Sequence, residues 1–187
     1  MVTSIFLHPT KAFEEGFHNP NVESAVIVVV LTALFMALAV YFTMHNLFAS
    51  VFMFAVNIIQ WIIYSALVWF FEFVHVRKRK RMVGADFGQV LSVVGKLWII
   101  NLVASFLFLF ISLVLPNLGR GLLMVVGPLI LVLLIVVTLS WFVASFKMLK
   151  VVFGADRLKL VINWIILNFL NGVVVSFVTT FLARLFF

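Results

Sequence analysis

Glu72 and His75 stand three residues apart, the spacing at which helices of di-metal carboxylate bundles offer a glutamate and a histidine to one ion. Those bundles use the pair twice and add two more glutamates, whereas this chain has a single copy. The pair therefore reads as interfacial, with Glu72 facing Arg79 or a lysine of the second basic loop and His75 at the membrane surface. His8, His18 and His45 are scattered along the chain and form no ligand cluster. With no cysteine there is no thiolate ligand, thiol nucleophile or disulfide. Neither a Gly-x-Ser-x-Gly turn nor a His-Glu-x-x-His helix is present, and no aspartate pair lies within the apolar segments. The expectation is a non-enzymatic protein with no catalytic residue, metal or cofactor.

Polar residues inside the apolar segments carry more information. Asn57, Gln60 and Tyr64 fall on one face of a helix, Asn101, Ser105 and Ser112 on one face of another, and Asn168, Asn171 and Thr179 on one face of a third; Thr138 and Ser145 pair likewise. One reading is interhelical hydrogen bonding, worth about 0.6 to 2 kcal/mol a pair in membranes. The other is a polar path for a solute, but the segments hold no Asp, Glu, Lys or Arg away from their ends, where ion-coupled transporters usually place one. Since an unpaired amide in hydrocarbon costs several kcal/mol, the stripes are expected to face other helices.

The elements that carry these residues are five uncharged apolar runs, 25–44, 51–71, 97–115, 122–146 and 160–183. Each is long enough to cross a hydrocarbon core of about 30 Å as a helix rising about 1.5 Å per residue. A composition of 66% hydrophobic and 10% charged residues over 187 positions lies outside the range of a soluble domain. The fold class is thus all-α, a polytopic transmembrane helical bundle, with residues 1–24 as an N-terminal arm and 25–187 as one five-span domain. The arm lacks the basic-then-apolar order of a cleavable signal, so the first span is expected to remain in the mature protein. The 23 phenylalanines read as lipid-facing or packing residues, and Trp61, Trp69, Trp98, Trp141 and Trp164 mostly as interfacial belts.

The net charge of +7 follows membrane sidedness, which argues against nucleic acid. Arg77, Lys78, Arg79, Lys80, Arg81 and Lys96 fall between spans 2 and 3, and Lys147, Lys150, Arg157 and Lys159 between spans 4 and 5. With Lys11 on the same side, eleven basic residues oppose two, Arg120 and Arg184. The positive-inside rule then puts the N-terminus in the cytoplasm and the C-terminus outside. The dense run Arg77–Arg81 is either a topology signal alone or a site for anionic lipid headgroups or an acidic protein partner.

Within the arm, Pro9 fits the first turn of a short helix whose Phe13 and Phe17 lie one turn apart, placing it along the cytoplasmic interface. Asn19-Pro20 stops that helix and opens the first span. The triplet Gly-Ala-Asp occurs at 84–86 and at 154–156, each time ready to stop one helix and cap the next, and Phe87 to Val94 form a helical segment ahead of span 3. Gly127-Pro128 marks a kink in span 4.

These pieces in this order resemble the Yip1-domain family of five-helix membrane proteins. The resemblance rests on Pro9 and Phe13 in the arm, the Asn19-Pro20 lead, the segment Gly84 to Gly95, and the junction Trp141 to Gly154 with Lys147 and Lys150. It implies a protein that binds or organises membrane and protein partners, without catalysis. Eukaryotic members have a long cytosolic N-terminal region with an Asp-Leu-Tyr-Gly-Pro signature and engage Rab GTPases; this chain has neither feature and looks like the short prokaryotic or archaeal branch. Residence in the plasma membrane of a prokaryote, or an ER/Golgi-type membrane of a eukaryote, is implied, with lipids, a protein partner or a second copy as partners. The alternative is a small channel or transporter component. Cysteine-accessibility scanning on the cysteine-free chain tests the topology: positions 79 and 150 should label from the face opposite position 119, and labelling of 79 and 119 from one face overturns five spans.

Overall fold

The computed structural model describes residues 2–79, 85–118, 120–154 and 157–186. Among them run α1 (Val2–Leu7), α2 (Pro9–His18), α3 (Val22–Met44), α4 (Leu47–Arg79), α5 (Phe87–Val114), a 3-10 turn (Leu115–Asn117), α6 (Arg120–Phe153) and α7 (Arg157–Phe186). No strand occurs among the described residues. The five helices α3 to α7 are long and apolar enough to cross a membrane, and the chain is an integral membrane protein. Trp69 of α4 meets Phe87 of α5 while Tyr64 meets Trp98, so these two successive spans run antiparallel. One end of the bundle, called the basic end below, carries α1, α2 and the ends of α4 and α6 with most of the Lys and Arg residues.

Several boundaries differ from the sequence reading. Asn19-Pro20 does not open the first span: the Asn19 amide donates to Glu15 O at 2.9 Å to close α2, and Asn21 caps α3 by accepting from the Ser24 amide at 2.8 Å. Phe87 to Val94 is not a separate segment, because α5 runs unbroken to Val114; Lys96 is therefore a helical residue. Its start is fixed by Gln89, whose side chain accepts from the Asp86 amide at 2.9 Å. Lys147 and Lys150 lie within the last two turns of α6, which ends at Gly154 in the left-handed region with φ 53°. Ala155, Asp156, Gly84, Lys80 and Arg81 lie outside the described residues, and with them one residue of the first Gly-Ala-Asp triplet and two of the second. α6 continues through Pro128 without interruption.

The tightest helix pair is α3 with α5. Ala25, Val29, Ala33 and Ala37 recur every four residues on α3 and are all buried, and Gly95 of α5 meets Ala25 so closely that a Cβ there would stand 2.7 Å from the Ala25 Cα. Small residues at a crossing let two backbones approach, which is how membrane helices gain dispersion energy when lipid is as apolar as leucine. The packed core lies toward the basic end, where Val68, Val94, Leu97, Met148, Leu149 and Leu160 are buried together. Trp61 and Trp98 belong to it and are not interfacial belts. Toward the opposite end α6 is largely exposed, with Met124, Leu129, Leu131, Val132, Leu133 and Ile135 open to the surroundings.

Gly95 and Gly172 make a matched pair for measuring the crossing, because a Cβ at Gly172 meets nothing within 4 Å. Gly95→Leu is expected to cost about 1–3 kcal/mol or more by overpacking. That would lower the thermal midpoint in detergent by several degrees, roughly 5 °C or more. Gly172→Leu should leave it essentially unchanged.

Candidate functional site

The arm is built into the basic end of the bundle. Pro9, Ala12, Phe13 and Gly16 follow helical spacing and form the buried face of α2, while Lys11, Glu14, Glu15 and His18 form the exposed one. The apolar face that the sequence offers is turned to the protein, since Phe13 is 0% exposed and packs in the core with Ile5 of α1. Lys96 fixes the position. Its stem passes over Gly16, whose missing Cβ would come 2.9 Å from the Lys96 Cδ, and its ammonium donates to Ala12 O at 2.9 Å. The Glu15 carboxylate lies near enough to attract it. A charged donor to a half-buried carbonyl contributes about 1.5–3 kcal/mol, and the Asn21 amide adds a second tie by donating to Ser92 Oγ at 2.9 Å.

The polar stripes behave differently from the interhelical bonding expected of them. Asn57, Gln60, Asn101 and Asn168 are half-buried, and Tyr64, Ser105 and Asn171 are buried. The Asn57 amide donates to Met53 O at 2.9 Å and the Asn168 amide to Trp164 O at 2.8 Å, each one turn back on its own helix. The hydroxyls of Ser105, Ser112, Thr138 and Thr179 also donate to their own helices. Ser145 does both: its hydroxyl donates to Phe142 O, and it accepts from Trp164 Nε1 at 2.9 Å, joining α6 to α7.

Tyr64 marks the centre of a buried aromatic cluster, with ring centroids 6.0 Å from Trp98 and 6.2 Å from Trp141. Its neighbours on the same α4 face are Trp61, Ser65, Val68 and Glu72, all buried. Several donors here have no hydrogen-bond partner among the described residues: Trp61 Nε1, Tyr64 OH, Ser65 Oγ, Trp98 Nε1 and Trp141 Nε1. Glu72, placed by its sequence at the interface, is 5% exposed and so lies inside the bundle. The His75 side chain and those of Arg77, Lys78 and Arg79 lie outside the described residues; α4 itself continues through Arg79. No group of three His, Cys, Asp or Glu able to hold a metal occurs among the described residues.

A groove of about 280 Å³ opens beside the arm, between α1, α5 and α6. Lys147 lines its basic end and is half-buried, whereas Lys150 is exposed. The sequence reading missed the groove, α1 and the role of Lys96; only the four-residue spacing of Phe13 with Phe17 hinted at a packed arm. No protein-family model, curated protein or solved structure matches the chain.

Lys96→Met keeps the stem and removes the charged donor. It should raise amide exchange across residues 9–18 by about tenfold, equivalent to about 1.4 kcal/mol. Phe13→Ala, which empties a fully buried aromatic site, should release the arm further and expose it to limited proteolysis. Unchanged exchange in both variants would show that neither contact holds the arm.

Proposed function

We propose that this integral membrane protein is non-enzymatic and of the Yip1 kind, binding or organising lipid and protein partners at its basic, cytoplasmic end. The observation that carries this reading is the docked arm. Burial of Phe13 and the Lys96 to Ala12 bond fix α2 so that Lys11, Glu14, Glu15 and His18 are displayed together. A rigid charged helix face is what a polar partner can recognise without first ordering a loose segment. Charge bias supports the cytoplasmic assignment. The membrane is the plasma membrane in a prokaryote or an ER/Golgi-type membrane in a eukaryote.

The unpartnered donors around Tyr64 favour a second reading, a small channel or transporter component in which that cluster is wetted along a path. Against it, the amides of Asn57 and Asn168 turn back onto their own helices, which withdraws them from a shared path. Two measurements separate the readings. Proteins cross-linked to the chain in native membranes should be lost when Glu14→Lys and Glu15→Lys are combined, while liposomes holding the chain leak solutes no faster than empty ones. Solute flux abolished by Asn57→Ala would establish the second reading and overturn the first.

A further inference from the structure

The groove between α1, α5 and α6 has the length and charge to hold part of one phospholipid, a stretch of acyl chain below its phosphate. Its floor is apolar and closed, made by Ile5, Ile100 and Ala144, each no more than 2% exposed. Its rim, Phe6, Leu139 and Val143, is exposed to the surroundings, which along this part of α6 are lipid. Val136 lies at the far end of the groove on α6, and Lys147 at the basic end. Eleven residues of helix separate them, about 16 Å at 1.5 Å per residue, close to half of a hydrocarbon core of about 30 Å. The groove is one leaflet deep. Lys147 has no hydrogen-bond or ion-pair partner among the described residues. Lys150, one turn on and exposed, adds a second positive charge on the same face.

From this juxtaposition we infer that the groove holds an anionic glycerophospholipid of the cytoplasmic leaflet, one acyl chain along Val143 and Leu139 and the phosphate at Lys147. The apolar floor takes the chain, for which lipid-facing side chains are already a matched solvent. The ammonium supplies the preference, since a lysine at the level of the headgroups snorkels toward them along its own stem and is attracted to an anionic surface. The site rests on the reading of the chain as a partner-binding protein and names a lipid as one such partner. It stands apart from the charged face of α2, so either can fail alone.

A photoreactive benzoyl-phenylalanine at position 139 in the full-length chain, reconstituted in equimolar phosphatidylglycerol and phosphatidylcholine vesicles, reads the occupant directly. Adducts with phosphatidylglycerol should exceed those with phosphatidylcholine about fivefold, and a probe at exposed Ile165 on α7 should show a ratio near one. Lys147→Gln should bring the ratio at 139 to about one and Lys147→Arg should keep it. Val143→Trp, which fills the groove from its exposed rim, should lower all lipid adducts at 139. A ratio near one in the parent chain, equal enrichment at 165, or equal loss with Lys150→Gln would each overturn the site in favour of general surface charge. Adducts with a second copy of the chain would overturn it as well, making the groove a dimer contact. None of these outcomes bears on the loss of cross-linked proteins in the Glu14 and Glu15 variant, which tests the broader reading alone.

Discussion

Where α3 crosses α5, Ala25 comes so near Gly95 that no side chain fits between the two backbones. That approach sets the register of the basic end. It brings the start of α3 alongside the first turns of α5, so that the Asn21 amide reaches Ser92. One residue past Gly95, Lys96 is then held where it can cross Gly16 and reach Ala12. The arm is therefore positioned by a helix crossing in which glycine contributes by having no side chain.

Packing is uneven along the bundle normal. Toward the basic end, all seven described helices share one buried cluster containing Phe13, Val29, Tyr64, Trp98, Met148 and Leu160. Toward the other end, most of the apolar side chains of α6 are exposed, Met124, Leu129, Leu133 and Val136 among them. In water such a helix would aggregate, but in hydrocarbon an exposed leucine has no penalty, so the helix needs no neighbour there. The membrane thus permits α6 to be tied mainly at one end, while α3 and α4 stay packed toward the other through Ala37, Ala39 and Ser50.

Hydrogen bonding follows the same economy. Serine, threonine and asparagine side chains inside the spans mostly satisfy themselves on carbonyls three or four residues back, as for Asn57, Ser105 and Thr138. This removes the penalty of a buried polar group without committing the helix to a partner. Among the described residues two bonds to serine run between elements instead: Trp164 Nε1 to Ser145 Oγ links α6 and α7 beside the buried aromatic cluster, and the Asn21 amide reaches Ser92 Oγ of α5. Around Tyr64 the donors of Trp61, Tyr64 and Trp98 have no such recourse, because an indole or a phenol reaches away from its own backbone.

Apolar length by itself determined that five segments form membrane-crossing helices, since hydrocarbon leaves the backbone no other way to satisfy its donors. Local chemistry also made the helix at Pro9–His18 and the stop at Gly154 legible. The tertiary structure alone decided which faces pack. It placed Phe13 in the core, carried Lys96 within α5 to a carbonyl 84 residues away, turned Asn57 and Asn168 onto their own helices, and opened the groove beside Lys147. In water, polarity marks which side of a helix faces out. Here nearly every position is apolar whichever way it points, so hydrophobic periodicity falls silent and only complementary shape, such as Gly95 against Ala25, selects the neighbours.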